Sequence, residues 1–319
     1  KGSVGKVLFT DKNFTPTDTA YYLKINDPFK DDIRFWSYFL LQLGMEKLNT
    51  HSAVPGLSRE VVYLLEVEIP SKKNQVKIAK ILSSIDNKIT LNNKINSELE
   101  AMAKLIYDYW FVQFDFPDTN GKPYKSSGGK MVYDEELKRE IPNGWDSDYI
   151  ENLLQKESQT KKLSKTQYQI EGAIPVIDQS TDYICGYTDD DDTVITTEKP
   201  RIVFGDHTRI LKLINFDFAR GADGTQVLLS NNKNVPQHFF YHSLLKIDLS
   251  NYGYARHFMF LKQTRIIIPN HDISNQFEEK IKSFHNQIKH NIFETYKLEQ
   301  LRDWLLPMLM NAQVSIKDS

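Results

Sequence analysis

Two stretches of this 319-residue chain repeat each other at an offset of 199 residues (78 to 277), and each carries a heptad pattern that needs a partner helix. The first follows Ile69-Pro70: SKKNQVKIAKILSSIDNKITLNNKINSELEAMAKLIYDYWFVQF contains no Gly or Pro and is rich in helix formers. Counting by sevens gives Ile78, Ile85, Asn92, Leu99 and Ile106, with Leu82, Ile89, Asn96, Ala103 and Trp110 four residues after each. The second follows Ile268-Pro269, and the same count gives Phe277, Phe284, Asn291, Leu298 and Leu305. A seam this narrow and long is buried only against another helix, and the two copies are the obvious partners. Antiparallel pairing would bring Asn92 and Asn291 together near the middles of their helices. There a buried polar pair would fix register at some cost in stability. Forty residues at 1.5 Å each make such a pair a ruler of roughly 60 Å.

An α/β segment precedes each helix. In the second copy, IPVIDQ, DYICGYT, DTVITT, RIVFG, ILKLINFDF and TQVLLS read as short strands between turns, with a helix at VPQHFFYHSLLKID. In the first copy GKVLFTDKNF reads as strands, IRFWSYFLLQLGMEKL as an amphipathic helix and VVYLLEVEIP as a closing strand, so the first domain is expected to be truncated at its front. The expected fold class is α+β: two α/β domains, the first truncated, joined by two long antiparallel helices forming a coiled coil. The boundaries are residues 1–70 for the latter half of the first domain, 71–113 for the first long helix and 114–144 for a flexible Gly-, Ser- and Lys-rich linker. Residues 145–270 form the second domain, 271–312 the second long helix and 313–319 a tail.

Composition narrows the function classes. The single Cys185 excludes an internal disulfide framework and suits a reducing cytosol, and no run of 18 apolar residues is present to cross a membrane. The net charge of -2 gives no global argument for nucleic acid. Locally, residues 201–265 carry nine Lys or Arg against four Asp or Glu, while residues 150–200 carry five against ten. Such polarisation can make one face attractive to phosphates.

No enzyme motif covers the chain: a Walker A loop, a Gly-x-Gly-x-x-Gly fingerprint, a Gly-x-Ser-x-Gly elbow and a His-Glu-x-x-His helix are all absent. Asp118 with Glu136 and Lys138 matches a loose metal-dependent nuclease pattern, but in a linker rather than on a rigid strand core. Asp206 beside His207 invites a triad, yet neighbours at a strand end point in different directions. Asp189 to Asp192 lacks the spaced ligands of a calcium loop and reads as a solvated turn. No catalytic and no metal-binding residue is therefore assigned. The residue types favour reading instead: His207, Thr208, Arg209, Lys212, Arg220, Arg256, His257 and Lys262 mix long cations with hydroxyl and imidazole donors, interleaved with Tyr252, Tyr254, Phe258 and Phe260.

With GSVGKV, SAVPGLSREVV running into EVEIPSKKNQVKIAKILSSIDNKI, LIYDYWFVQFDFP with KREIPNGW, and YARHFMFLKQTRIIIP with LEQLRDWLLPMLMN, the chain resembles the DNA specificity subunits of type I restriction-modification enzymes. The resemblance implies a cytoplasmic, non-catalytic subunit whose two target recognition domains each read one half of a bipartite site on double-stranded DNA. It also implies a scaffold for two methyltransferase subunits and for motor-nuclease restriction subunits. S-adenosylmethionine, ATP and magnesium would belong to those partners, and this chain would hold no cofactor. Ser3, Lys6, Ser58 and Arg59 would be the first domain's counterparts of the second domain's DNA-binding residues. The alternatives are a coiled-coil adaptor that binds only protein and, behind it, a metal-dependent nuclease built on Asp118, Glu136 and Lys138.

Overall fold

The computed structural model describes residues 5–17, 20–48, 56–156, 160–253, 256–314 and 316. The chain divides into two compact units, Lys1–Ile95 with Asn291–Ser319, and Asn96–His290. Each unit therefore takes one part of each long helix.

In the first unit α1 (Ile33–Gln42) starts at Asp32, whose carboxylate accepts the N–H groups of Arg34 and Phe35 at 3.1 and 3.0 Å. A short α2 (Arg59–Tyr63) follows, and α3 (Lys72–Tyr107) begins. The apolar face of α1 (Phe35, Tyr38, Phe39) packs on Ile78, Ala79 and Leu82 of α3 and on Leu309 and Met310 at the far end of α7 (His271–Met310). The early part of α3 thus meets the late part of α7, which is the antiparallel arrangement the heptads predict. Gln75 is buried at this junction. Its amide donates to the carbonyls of Lys30 and Pro70 and accepts from Asp32 N–H. Further along, Arg302 reaches Asp86 at 3.1 Å, and Asp86 also accepts the hydroxyl of Tyr38.

The expected strands of residues 1–70 did not form. Val61 and Val62 lie in α2, and among the described residues all strands belong to the second unit. A strand needs a ladder partner, and β-branched residues alone do not supply one.

The second unit holds β1 (Met131–Asp134), β2 (Arg139–Pro142), β3 (Asp146–Tyr149), α4 (Ile150–Leu153), β4 (Ile174–Ile177), β5 (Gly186–Thr188), β6 (Val194–Ile195), β7 (Arg201–Gly205), β8 (Leu211–Ile214), β9 (Phe218–Arg220) and β10 (Thr225–Leu228). Helices α5 (Gln237–Leu244) and α6 (His257–Lys262) and strand β11 (Arg265–Ile268) complete it. One sheet has the order β5-β4-β9-β6, with β4 and β9 parallel; another is antiparallel β10-β7-β8; β11 pairs with β3 and β1 with β2. The strands β4 and β7 are nearly all apolar because both faces are covered.

An aromatic core ties this unit to its helix halves. α3 ends in a π-helical turn, Asp108–Val112, that buries Trp110 and Phe111. Phe111 lies 4.7 Å from Phe239 of α5 and 5.1 Å from Phe277 of α7, ring centre to ring centre. The connection 114–144, expected to be flexible, is packed: Phe114 and Phe116 are buried against Trp145, and β1 and β2 form a hairpin. Its two phenylalanines outweigh its Gly and Ser content.

Candidate nucleic-acid interface

Three strands of the second unit end at one rim. Asp178 and Gln179 follow β4, the turn Asp206–Ile210 follows β7, and Gly221–Gly224 follows β9. The β7 turn is closed by Arg209 N–H to Gly205 O and Gly205 N–H to Ile210 O, both at 2.8 Å. Thr208 donates its hydroxyl to Gln179 O at 2.7 Å, and His207 N–H reaches the side-chain oxygen of Gln179 at 3.1 Å. The Gln179 amide nitrogen donates to Asp223 O at 2.8 Å, and Asp206 N–H donates to Gly224 O at 2.7 Å. Gly224 has φ +75°, and a Cβ there would stand 2.6 Å from the Gln179 amide nitrogen and 2.7 Å from the His207 ring. Only glycine permits so close an approach in that conformation.

Asp206 joins α6 to this rim. Its carboxylate accepts Phe258 N–H at 2.8 Å and its carbonyl accepts His257 N–H at 3.0 Å, so it caps a helix whose own N-cap residue, Arg256, provides no side-chain cap. The carboxylate is therefore committed to α6 and does not orient the ring of His207, which removes the triad reading.

The rim sorts the residues expected to touch DNA. His207, Arg209 and Arg256 are exposed beside it. Arg209 holds φ +62°, places its guanidinium 3.3 Å from Leu249 O and lines a cavity of about 300 Å³. Asp248 lies nearby, its carboxyl held below the usual range by Ser250 and by the charge of Arg209. Lys262 stands 5.4 Å from the ring centre of Phe258, and the rings of Tyr252 and Phe260 stack at 4.0 Å. Thr208 is exposed, but its hydroxyl is engaged by Gln179.

Two expected contacts point inward instead. Lys212 is 4 % exposed, and its ammonium donates to the carbonyls of Asp178 at 2.9 Å and of Asp182. Burial pushes its pKa down, and it clamps the loop after β4 from beneath. His257 is 3 % exposed, with its ring against Asp206 O at 2.9 Å. Both faces of β8 are covered, so Lys212 is buried along with Leu213 and Ile214, and His257 is buried in the first turn of α6. Arg220 is half-buried at the end of β9, and burial lowers its pKa. In the first unit Lys6 and Arg59 are exposed and Ser58 precedes α2, while Ser3 lies outside the described residues, as does Tyr254.

Gln179 is the residue that sequence reasoning missed, and Asp206, singled out only as a possible triad member, has a capping role it did not foresee. The signal available for Gln179 was its position two residues after the apolar run IPVI; its partners, 28 and 44 residues away, carried none.

The other candidates resolve into ordinary structure. Asp118 accepts the N–H groups of Asn120 and Lys122 at 2.8 Å within its own turn, and Glu136 pairs with Arg265. Asp190 pairs with Lys161 at 2.6 Å and Asp189 accepts Ala173 N–H, so the acidic run is a turn between β5 and β6. Among the described residues no group of three or more His, Cys, Asp or Glu is placed to hold a metal ion. No described helix is long and apolar enough to cross a membrane.

The seam asparagines are both buried, in the first unit. Asn92 donates to Glu294 at 2.8 Å and to Thr295 at 3.3 Å, one turn beyond Asn291 on α7, and Lys88 closes the group with a 3.0 Å contact to Glu294.

Residues 1–101 match the family model described as the type I restriction modification DNA specificity domain. The type I restriction enzyme MjaIX specificity subunit of Methanocaldococcus jannaschii is 25 % identical over 297 residues, covering 86 % of this chain and 66 % of that one. The HindI specificity subunit of Haemophilus influenzae is 29 % identical over 119 residues, 35 % of this chain and 26 % of its own. The chain thus spans just under two thirds of the first relative and about a quarter of the second. A solved S subunit of a type I restriction-modification system from M. genitalium shares the fold, with a TM-score of 0.56 at 16 % identity over 89 % of this chain and 74 % of that chain. At its front and along most of its length the chain is thus similar in sequence to type I restriction-modification DNA specificity subunits, and it shares the fold of a solved one.

Proposed function

We propose that the chain reads one half of a bipartite site on double-stranded DNA with the rim of its second unit, and that it scaffolds two methyltransferase subunits and the restriction subunits. The observation that carries the reading is the rim itself. Arg209, Arg256 and His207 are exposed beside turns held rigid by Gln179 and Asp206, in the stretch where nine cations face four anions. Fixed cations at strand ends suit contacts to phosphates and to guanine edges in the major groove. The first half-site belongs to the first unit, with Lys6, Ser58 and Arg59 as candidates.

A second feature supports the scaffold. On α3 Met102 and Leu105 are 49 % and 67 % exposed, and the residues 199 positions later on α7, Leu301 and Trp304, are 44 % and 55 % exposed. Each unit thus carries an apolar patch at the same place in the repeat, as two copies of one partner require. Methyl transfer and cleavage fall to the partners, with S-adenosylmethionine, ATP and magnesium; the subunit works in the cytoplasm, where the DNA is.

The test is reconstitution with the methyltransferase subunit and titration of duplex DNA over a salt series. Sequence-dependent binding that weakens steeply with salt is expected. Assembly with the partner but no affinity for duplex DNA would identify the chain as a coiled-coil adaptor instead.

A further inference from the structure

We propose, resting on the DNA-reading function above, that Gln179 is a positioning residue that sets the specificity of the half-site read by the second unit. Its side chain ties the two turns whose backbones are least able to hold themselves. Arg209, at φ +62°, and Asp223, at φ +35°, both occupy the left-handed region without being glycine. Such residues persist only where their surroundings hold them there. Gln179 supplies that hold on both sides. Its side-chain oxygen accepts His207 N–H at 3.1 Å, its backbone oxygen accepts the Thr208 hydroxyl at 2.7 Å, and its amide nitrogen donates to Asp223 O at 2.8 Å. Gly205 and Gly224 leave room for it, since a Cβ on Gly205 would approach its Cβ to 2.9 Å and one on Gly224 its amide nitrogen to 2.6 Å.

The amide is the group this geometry selects. It needs one acceptor and one donor in fixed places, which orients the side chain without ambiguity. Glutamate has the same shape but would set a carboxylate oxygen against the carbonyl of Asp223. With the tie cut, Asp223 and the Arg209 turn relax toward ordinary backbone, and the side chains beside the rim lose their aim while keeping their charge. Discrimination between sequences falls, and attraction to phosphate stays.

The test uses the chain assembled with its methyltransferase partner and a randomised duplex library, comparing wild type with Gln179→Glu and with Gly224→Ala, which obstructs the same tie from the opposite side. Wild type enriches one motif. Both variants are expected to blur that half of it which Arg209→Ala also alters. They are expected to bind the wild-type sequence about tenfold more weakly, the scale of one misplaced base contact, and to bind scrambled duplex within about twofold of wild type. The melting temperature should be unchanged in at least one of the two. A library in which wild type enriches nothing overturns the DNA-reading function, and this inference with it. Wild-type enrichment with the same motif from both variants overturns the inference alone. So does an equal loss of affinity for motif and scrambled duplex, which would mark Gln179 as merely structural.

Discussion

The carboxylate of Asp206 accepts the backbone N–H of Phe258 at 2.8 Å across 52 residues of sequence, and this bond seats α6 against the end of β7. Removing a buried charged acceptor leaves the N–H of Phe258 unpaired, which costs about 1 to 3 kcal/mol. Asp206→Ala should lower the stability of the second unit by that amount in denaturant titration. Asp206→Asn, which keeps an oxygen in place, should retain most of it. Equal stability of Asp206→Ala and wild type would show that the cap is dispensable.

Arg209 and Arg256 are distinguished by salt. Replacing either with Ala should cost about 1 to 3 kcal/mol and relax one position of the motif where the side chain reads a base edge. Where it contacts phosphate, binding should weaken for all sequences alike, with a shallower dependence on salt. Gel-shift titrations at several salt concentrations separate the two outcomes, and unchanged binding in both variants would take these residues off the interface.

Asn92 is buried, and its side-chain oxygen has no partner among the described residues. Its amide is satisfied by Glu294 and Thr295, and Glu294 keeps Lys88 when Asn92 is lost. Asn92→Leu, alone or with Asn291→Leu, should leave the melting temperature equal or higher while loosening register. Disulfide cross-linking between cysteines at Asp86 and Arg302 should fall as out-of-register pairs gain. Unchanged cross-linking would count against a register role.

Three histidines, His238 and His242 on α5 and His285 on α7, cluster in the second unit with Tyr107 and Tyr241, and His238 contacts Glu278 at 2.7 Å. Burial pushes His242 down to about 3, with His238 and Lys246 adding to the effect, and burial likewise holds His285 well below its usual value. The unfolded chain takes up these protons near pH 6.5, before the folded chain does. The stability held by the neutral imidazoles is therefore complete above pH 6.5 and is lost as pH falls from there toward 3. The slope is about 1.4 kcal/mol per pH unit for each histidine. Thermal melts at pH 7 and pH 5 should show the drop, and His242→Phe should reduce it. Identical melts at the two pH values would contradict the assignment.

The long helices were legible because their seam is written every seventh residue, from Ile78 to Ile106 and from Phe277 to Leu305. So was most of the second unit: IPVI and RIVFG are apolar runs bounded by turn residues, and they form β4 and β7. The pairing of the two helices was legible too, but which individual side chains meet across distant chain was not. Nothing local to Asn92 specifies Glu294, and nothing near Asp206 specifies Phe258. Lys212 and His257 carry surface chemistry but sit where the core requires a side chain, so residue type alone placed them outside. VVYLLEVEIP has strand composition and no ladder to join, and its first three residues form the end of α2.

The most direct test of the central claim is methylome sequencing of cells carrying this chain with the methyltransferase subunit that the proposed function assigns to it. DNA reading by the two units predicts one bipartite methylated motif, one half of which changes when Arg209 and Arg256 are both replaced by Ala while the other half is kept. Methylation without a bipartite motif, or a motif untouched by both substitutions, would contradict it.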